Sequence, residues 1–253
     1  METPHPWQAD EAATRQRMSE SLKQHLDLAA DFELLAFHLL SGIKQVQADP
    51  GVLQVHTTLL ARVLQDLRVV TLIAPLGYTM QAWTIAASAF EAAYAMGFIG
   101  ADSARARRWL DHSDMKTPPW STYDAVENSL RYLDLAEDSE ERRALAQKEY
   151  ELYKFLCMAK HVNPIPERTR YWFRRGNSTQ LRLTPIHTPG RASEARLALS
   201  LALRSAINAV WVFHKTHVTE DQNLGERLLQ LATRSAELLS EWNGETLAED
   251  PGA

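Results

Sequence analysis

The side chains of this chain with the most chemical capacity are a histidine, two carboxylates and an arginine, which fall on four separate segments. His161 ends the helical stretch 150–164, YELYKFLCMAKHVNP, where Asn163 accepts the left-handed conformation of a helix exit and Pro164 cannot continue the helix. At that carbonyl-rich end the helix dipole favours the imidazolium form, and a group titrating near neutrality suits general acid–base catalysis. The competing reading is a histidine that caps the preceding carbonyls. Asp66 and Glu91 each stand inside a row of otherwise uncharged residues: Leu59, Val63, Val70 and Ile73 for the first, Met80, Thr84, Ala87, Tyr94 and Phe98 for the second. A carboxylate on a core-facing row is costly unless a cation or hydrogen-bond donors meet it. Two arrangements satisfy that demand. One is a shared polar cavity in which Asp66, Glu91 and His161 meet Arg204 and Asn208, themselves one helical turn apart; the other is separate ion pairs to Arg68 or Arg204. In the first, His161, Asp66, Glu91 and Arg204 are the catalytic candidates.

A second constellation is basic and aromatic. From Arg168 to Ser193 stand Arg168, Arg170, Arg174, Arg175, Arg182 and Arg191 without a single Asp or Glu, and Tyr171, Trp172 and Phe173 lie among them. The whole chain carries −5, so this stretch at +6 leaves −11 on the remainder. Guanidinium forks suit phosphate and aromatic faces suit bases, a combination that points to single-stranded RNA or another phosphate-rich ligand. Arg170, Trp172, Arg174 and Arg175 are the ligand-binding candidates, joined by Lys154, Asn163 and Asn208. The alternative is an arginine segment that pairs with acidic surface of the same molecule or of a second subunit. His214-x-x-His217 with Glu220 is a weaker pattern for a metal, because three or four ligands must converge. Cys157, between Leu156 and Met158, reads as a buried thiol rather than a nucleophile. No metal or cofactor is expected, and no glycine-rich phosphate loop, serine elbow or dinucleotide fingerprint is present.

The elements that must position these groups are helical. Leu145, Leu152, Leu156 and Ala159 form one apolar stripe of the 139–160 stretch, while Tyr150, Lys154, Cys157 and His161 repeat the spacing on the opposite side, which predicts a helix packed on both sides with Lys154 at a cleft. Periodicity predicts further helices over about 9–47, 52–74, 78–99, 122–136, 193–217 and 222–242, with Asp49-Pro50-Gly51 ending the first and Asp102 opening a short one. Across RYWFRR-GNST-QLRLTP two short strands around a turn are expected. The expected fold is therefore an all-α bundle of about seven helices with a short β-hairpin or irregular insertion near 168–185. It forms a single domain over 1–253, with 1–8 and 244–253 as disordered tails.

Composition narrows the setting. At 253 residues with 45% apolar content the chain can fill a sizeable core, and its charge makes no global case for nucleic acid. A single cysteine excludes an internal disulfide and fits a reducing cytoplasm. The N-terminus lacks the basic-then-apolar order of a signal peptide. The uncharged run 69–90 is long enough to span a bilayer, but Pro75-Leu-Gly77 interrupts it, so two buried helices meeting at a corner are expected and no membrane span.

The order of these features resembles a group of bacterial helical proteins related to the HEPN superfamily. The residues that carry the likeness are Arg62-x-x-x-Asp66 on one helix, Ser88-Ala-Phe-Glu91 on the next, Tyr153-x-x-Leu156-x-x-x-x-His161-x-Asn163-Pro164, and a Pro-Gly re-entry into a long helix. The resemblance implies a helical bundle, a homodimer and a role in binding or cleaving RNA, or as a non-catalytic protein partner in a defence or toxin–antitoxin type module. The chain departs from the HEPN ribonuclease pattern of Arg, four to six residues and His at a helix edge. Its literal match, Arg182 to His187, contains Pro185 and falls outside the helices, and in the pair Lys154 and His161 a lysine replaces the arginine.

Overall fold

The computed structural model describes residues 6–42, 49–114, 116–136, 138–160, 192–218 and 222–240, and the backbone alone of 172–175 and 178–181. Its helices are α1 (Pro6–Gly42), α2 (Pro50–Ile73), α3 (Thr79–Ile99), α4 (Ser103–Leu110), α5 (Thr122–Tyr132), α6 (Ser139–Lys160), α7 (Ala192–His217) and α8 (Gln222–Ser240). The expected all-helical bundle is what the chain forms. Two four-residue strands, Trp172–Arg175 and Ser178–Leu181, pair antiparallel with Trp172 opposite Leu181, and an isolated ribbon of that size adds no layer to a helical core. Most of the 168–185 insertion, like the 244–253 tail, lies outside the described residues.

Two boundaries differ from expectation. Asp49-Pro50-Gly51 starts α2 rather than ending the helix before it. Asp49 Oδ1 accepts from the backbone N–H groups of Gly51 at 2.9 Å and Val52 at 3.1 Å, and Pro50 occupies the first turn, where its missing N–H is no loss. At the other end of the preceding helix, Pro6 to Gln8 belong to α1, so the expected tail 1–8 is helical over its last three residues.

The bundle is built around α3, which packs against α2, α5, α6 and α7. Such crowding requires small side chains, and Ala82, Ala86, Ala87, Ala89, Ala92, Ala93 and Ala95 are all buried along it. The approach of α5 is closest at Gly97, where a Cβ would lie 1.9 Å from the Ser129 hydroxyl oxygen. Gly100 ends the helix at φ 49°, and a Cβ there would strike the Tyr132 ring at 2.7 Å. The uncharged run 69–90 is split by a 3₁₀ turn, Ala74–Leu76, and by Gly77 at φ 85°. Among the described residues, α7 is the one helix long and apolar enough to cross a membrane, and most of it is buried against its neighbours, as in a core helix. Leu156 is fully buried, whereas Leu64 is half-buried at the core's edge.

Inside this core α2, α3 and α7 enclose two histidines. His56 Nε2 lies 3.2 Å from the Met96 carbonyl and must donate to it, so His56 Nδ1 accepts from His217 Nε2 at 3.0 Å. That assignment leaves His217 Nδ1 a buried acceptor with no partner. Burial pushes both imidazoles down to about 4, with the neighbouring ring adding to the effect on His56. His25 is held at about 4 by burial and then by Arg196.

Three measurable consequences follow from this packing. Leu156→Ala should cost about 2–5 kcal/mol in denaturant unfolding, and Leu64→Ala clearly less. Gly97→Ala should cost about 1–3 kcal/mol, because Ser129 must move aside, and Gly97→Ala combined with Ser129→Gly should recover part of it. The three buried histidines bind fewer protons folded than unfolded between about 4 and 6.5, so their contribution is complete above pH 6.5 and is lost as pH falls towards 4. Each should account for about 2 kcal/mol of the stability lost between pH 7 and pH 5, and equilibrium unfolding of His25→Phe against wild type isolates the one outside the His56–His217 pair.

Candidate functional site

Where α2 and α3 diverge from α6, a cleft of about 630 Å³ opens beside the core, a volume typical of small-ligand sites. Helical spacing sets its polar rim. Arg62 and Asp66 are one turn apart on α2, and Ser88 and Glu91 are one turn apart on α3. Arg62 Nε holds both Asp66 oxygens at 2.9 and 3.1 Å, and Arg62 Nη2 donates to Ser88 Oγ at 3.0 Å, so the guanidinium clamps the two helices. From α6, the Tyr153 hydroxyl donates to Glu91 Oε1 at 2.6 Å and Lys160 Nζ to the same oxygen at 2.9 Å.

The opposite wall comes from α4 and the loop that follows it. Trp109 belongs to α4, and the loop supplies Lys116, Pro118, Pro119 and Trp120. Asp114 folds that loop by accepting from the Thr117 hydroxyl at 2.6 Å and the Lys116 N–H at 2.8 Å, bonds that hold its carboxyl below the usual range. The prolines stiffen the next step, and Trp120 rests on Phe98 with ring centroids 4.6 Å apart. Arg105 covers the same Phe98 ring at 4.3 Å. The cleft thus presents Arg62, Lys116 and Lys160 as cations, Glu91 as the one carboxylate on its wall among the described residues, and Trp109, Trp120 and Tyr153 as aromatic surface.

Neither the Tyr153 phenol on its wall nor the neighbouring Cys157 thiol is activated. Burial, then hydrogen bonds to Cys157 and Glu91, raise Tyr153 far above a normal phenol, and burial likewise raises the Cys157 thiol. Both stay protonated at neutral pH. No group of three or more His, Cys, Asp or Glu residues with metal-binding geometry occurs among the described residues. His217 of the His214-x-x-His217 pattern is engaged by His56, and Glu220 lies outside the described residues.

The sequence-derived candidates separate into groups. Glu91 lines the cleft, and Asp66 stands behind Arg62 at its edge. Asp66 pairs with neither Arg68 nor Arg204: Arg68 meets Glu33 on α1 at 3.5 Å, and Arg204 is bound to Glu149. The expected cavity shared by Asp66, Glu91, Arg204 and Asn208 is therefore corrected, since Arg204 and the half-buried Asn208 are not among the residues of the cleft wall. Lys154, expected at a cleft, is exposed, ion-paired with Glu151 at 2.7 Å and 5.6 Å from the Tyr150 ring centre. His161, Asn163 and Arg170 lie outside the described residues. Trp172, Arg174 and Arg175 fall on the first strand, whose backbone alone is described.

The sequence reading missed a buried cluster and half of the cleft. Glu149 accepts from the Tyr94 hydroxyl at 2.9 Å and from Arg204 Nη2, and it is only 7% exposed. The signal was present, because Glu149 fills the vacant place in the stripe Leu145, Leu152, Leu156, as Asp66 does in its own. Trp109, Lys116 and Trp120 carry no periodic signal, and only the stiff Pro118-Pro119-Trp120 sequence hints at a fixed aromatic. Fold and site together define an all-helical bundle with a mixed cationic and aromatic cleft. No family model, curated protein or solved structure matches this chain.

The buried cluster yields a direct test. Removing one partner strands a charge, so Glu149→Ala should cost about 3–5 kcal/mol in urea unfolding, whereas the apolar pair Glu149→Leu with Arg204→Met should recover most of the loss.

Proposed function

We propose that this is a HEPN-like, cytoplasmic binding protein for RNA or another phosphate-rich ligand, and that the cleft beside α3 is where the ligand sits. The observation that carries the reading is the grouping of Arg62, Lys116 and Lys160 with Trp109 and Trp120 on one concave surface. Cations there meet phosphate, and flat aromatic faces stack on bases without regard to sequence. The four residues that carry the family likeness on α2 and α3, Arg62, Asp66, Ser88 and Glu91, are joined through one guanidinium or line this same surface. Arg170, Trp172, Arg174 and Arg175 extend the proposed contact along the chain.

Titration of labelled single-stranded RNA at several salt concentrations tests this. Lys116→Ala and Arg174→Ala should each weaken binding and flatten the salt slope by about one unit per lost phosphate contact. Trp120→Ala, checked for folding by its melting curve, should cost about 1–3 kcal/mol of binding with little change in slope. Absence of wild-type binding at low salt overturns RNA as the ligand, and absence of nucleotide binding as well overturns the proposal.

A second reading, a non-catalytic homodimeric partner in a defence or toxin–antitoxin type module, is favoured by one surface. Leu34 and Phe37 on α1, with Phe37 68% exposed, and Val69 and Leu72 on α2 are exposed apolar side chains on helices bridged by Glu33 and Arg68. Sedimentation of wild type against Phe37→Glu decides it: a dimer lost in the variant supports this reading, and a wild-type monomer removes it.

A further inference from the structure

The bonding of Glu91 is uneven in a way that points to a particular ligand edge. Both of its donors, the Tyr153 hydroxyl and Lys160 Nζ, use Oε1, and Oε2 meets no donor among the described residues. A carboxylate oxygen accepts up to two hydrogen bonds, so among the described residues Oε2 has open acceptor positions while Oε1 is fixed in place, and Glu91 itself lines the cleft. Beside Oε1 stands the Lys160 ammonium, three N–H donors of which one is engaged by Glu91 among the described residues. Glu91 and Lys160 therefore offer an acceptor and a donor side by side, on the same cleft that holds Trp109 and Trp120.

Resting on the phosphate-ligand reading above, we infer that the cleft takes a guanine nucleotide, with Glu91 Oε2 accepting from the base N1–H and N2–H groups and Lys160 donating to O6. Among the four RNA bases guanine alone presents two neighbouring donors followed by an acceptor on its Watson–Crick edge. Adenine and cytosine place one amino group next to an acceptor nitrogen, which faces the carboxylate unfavourably, and uracil flanks its single N–H with two acceptors. A base read on that edge while stacked on an aromatic ring is a recurrent mode for single nucleotides and unpaired RNA. The phosphate falls to the remaining N–H groups of Arg62, whose side chain is 59% exposed, and to Lys116.

Tryptophan fluorescence titration of the full chain with GMP, IMP, AMP, CMP and UMP tests the inference. GMP should bind about tenfold or more tighter than AMP, which matches the loss of one charge-assisted hydrogen bond, and IMP, which lacks the 2-amino group, should fall between them. Glu91→Gln should abolish the preference for GMP over AMP. Tyr153→Phe, which keeps Oε2 in the cleft, should retain a preference for GMP. Equal binding of all five nucleotides overturns the guanine assignment and leaves the phosphate-ligand reading standing, whereas no binding of any nucleotide or of single-stranded RNA by folded protein at low salt overturns both. A single-stranded uridine pentamer with a central G, compared with the same strand carrying A, separates the sources. A G preference there assigns an RNA residue, and GMP binding without pentamer binding assigns a free nucleotide.

Discussion

The structure depends on one steric constraint: α3 must be touched on nearly every side at once. Four helices pack closely on it, and they do so because seven buried alanines are spread along it between its larger side chains and because Gly97 leaves room for Ser129 of α5. Close approach of backbones gains dispersion contacts that larger side chains would hold apart. The same packing leaves little tolerance, since a single added methyl group at Gly97 meets an oxygen inside contact distance. Gly100 and Gly77 serve the constraint from the ends by turning the chain where the helix enters and leaves the core.

A core this dense makes every buried polar group a demand on its neighbours. Glu149 is met by Arg204 and Tyr94, Asp66 by Arg62, and His56 by His217 and the Met96 carbonyl. The Glu149 and His56 groups each tie three helices that apolar contact alone would leave free to slide, and Arg62, held by Asp66 on its own helix, reaches Ser88 on α3. An ion pair of this kind adds little net stability relative to apolar packing, but losing one partner is expensive, so such pairs fix which helix faces which. The histidine pair carries the same logic into pH: its members are neutral because burial disfavours the cation.

The cleft is what remains where the packing around α3 opens. At Ser88 and Glu91 the α3 surface turns from alanine to polar, and the groups that meet those side chains come from α2 and α6 instead of from the core. Because Arg62 spans to Ser88 and Lys160 to Glu91, the rim is preorganised, and binding a ligand there orders few further side chains. The aromatic wall is set by different means, a stiff Pro-Pro step that lays Trp120 on Phe98.

How much of this was legible in the sequence follows from the range of the interactions involved. Helical periodicity, the Pro-Gly break after α2 and the apolar stripe through Leu156 are local, so the chain by itself determined an all-helical fold and the split of its uncharged run. It also marked Asp66 and Glu91 as carboxylates in need of partners. Which partners they found was decided by tertiary structure, because a core-facing acid specifies only that a cation or donor must arrive and not from where. Asp66 took Arg62 from its own helix, whereas the sequence pointed to Arg68 or Arg204, and Arg204 went to Glu149, whose place in a stripe was open to reading. Lys116 and Trp120 reach the cleft through loop geometry with no periodic signature, and Trp109 from the short α4, so only the folded chain brings them to Glu91 and Arg62.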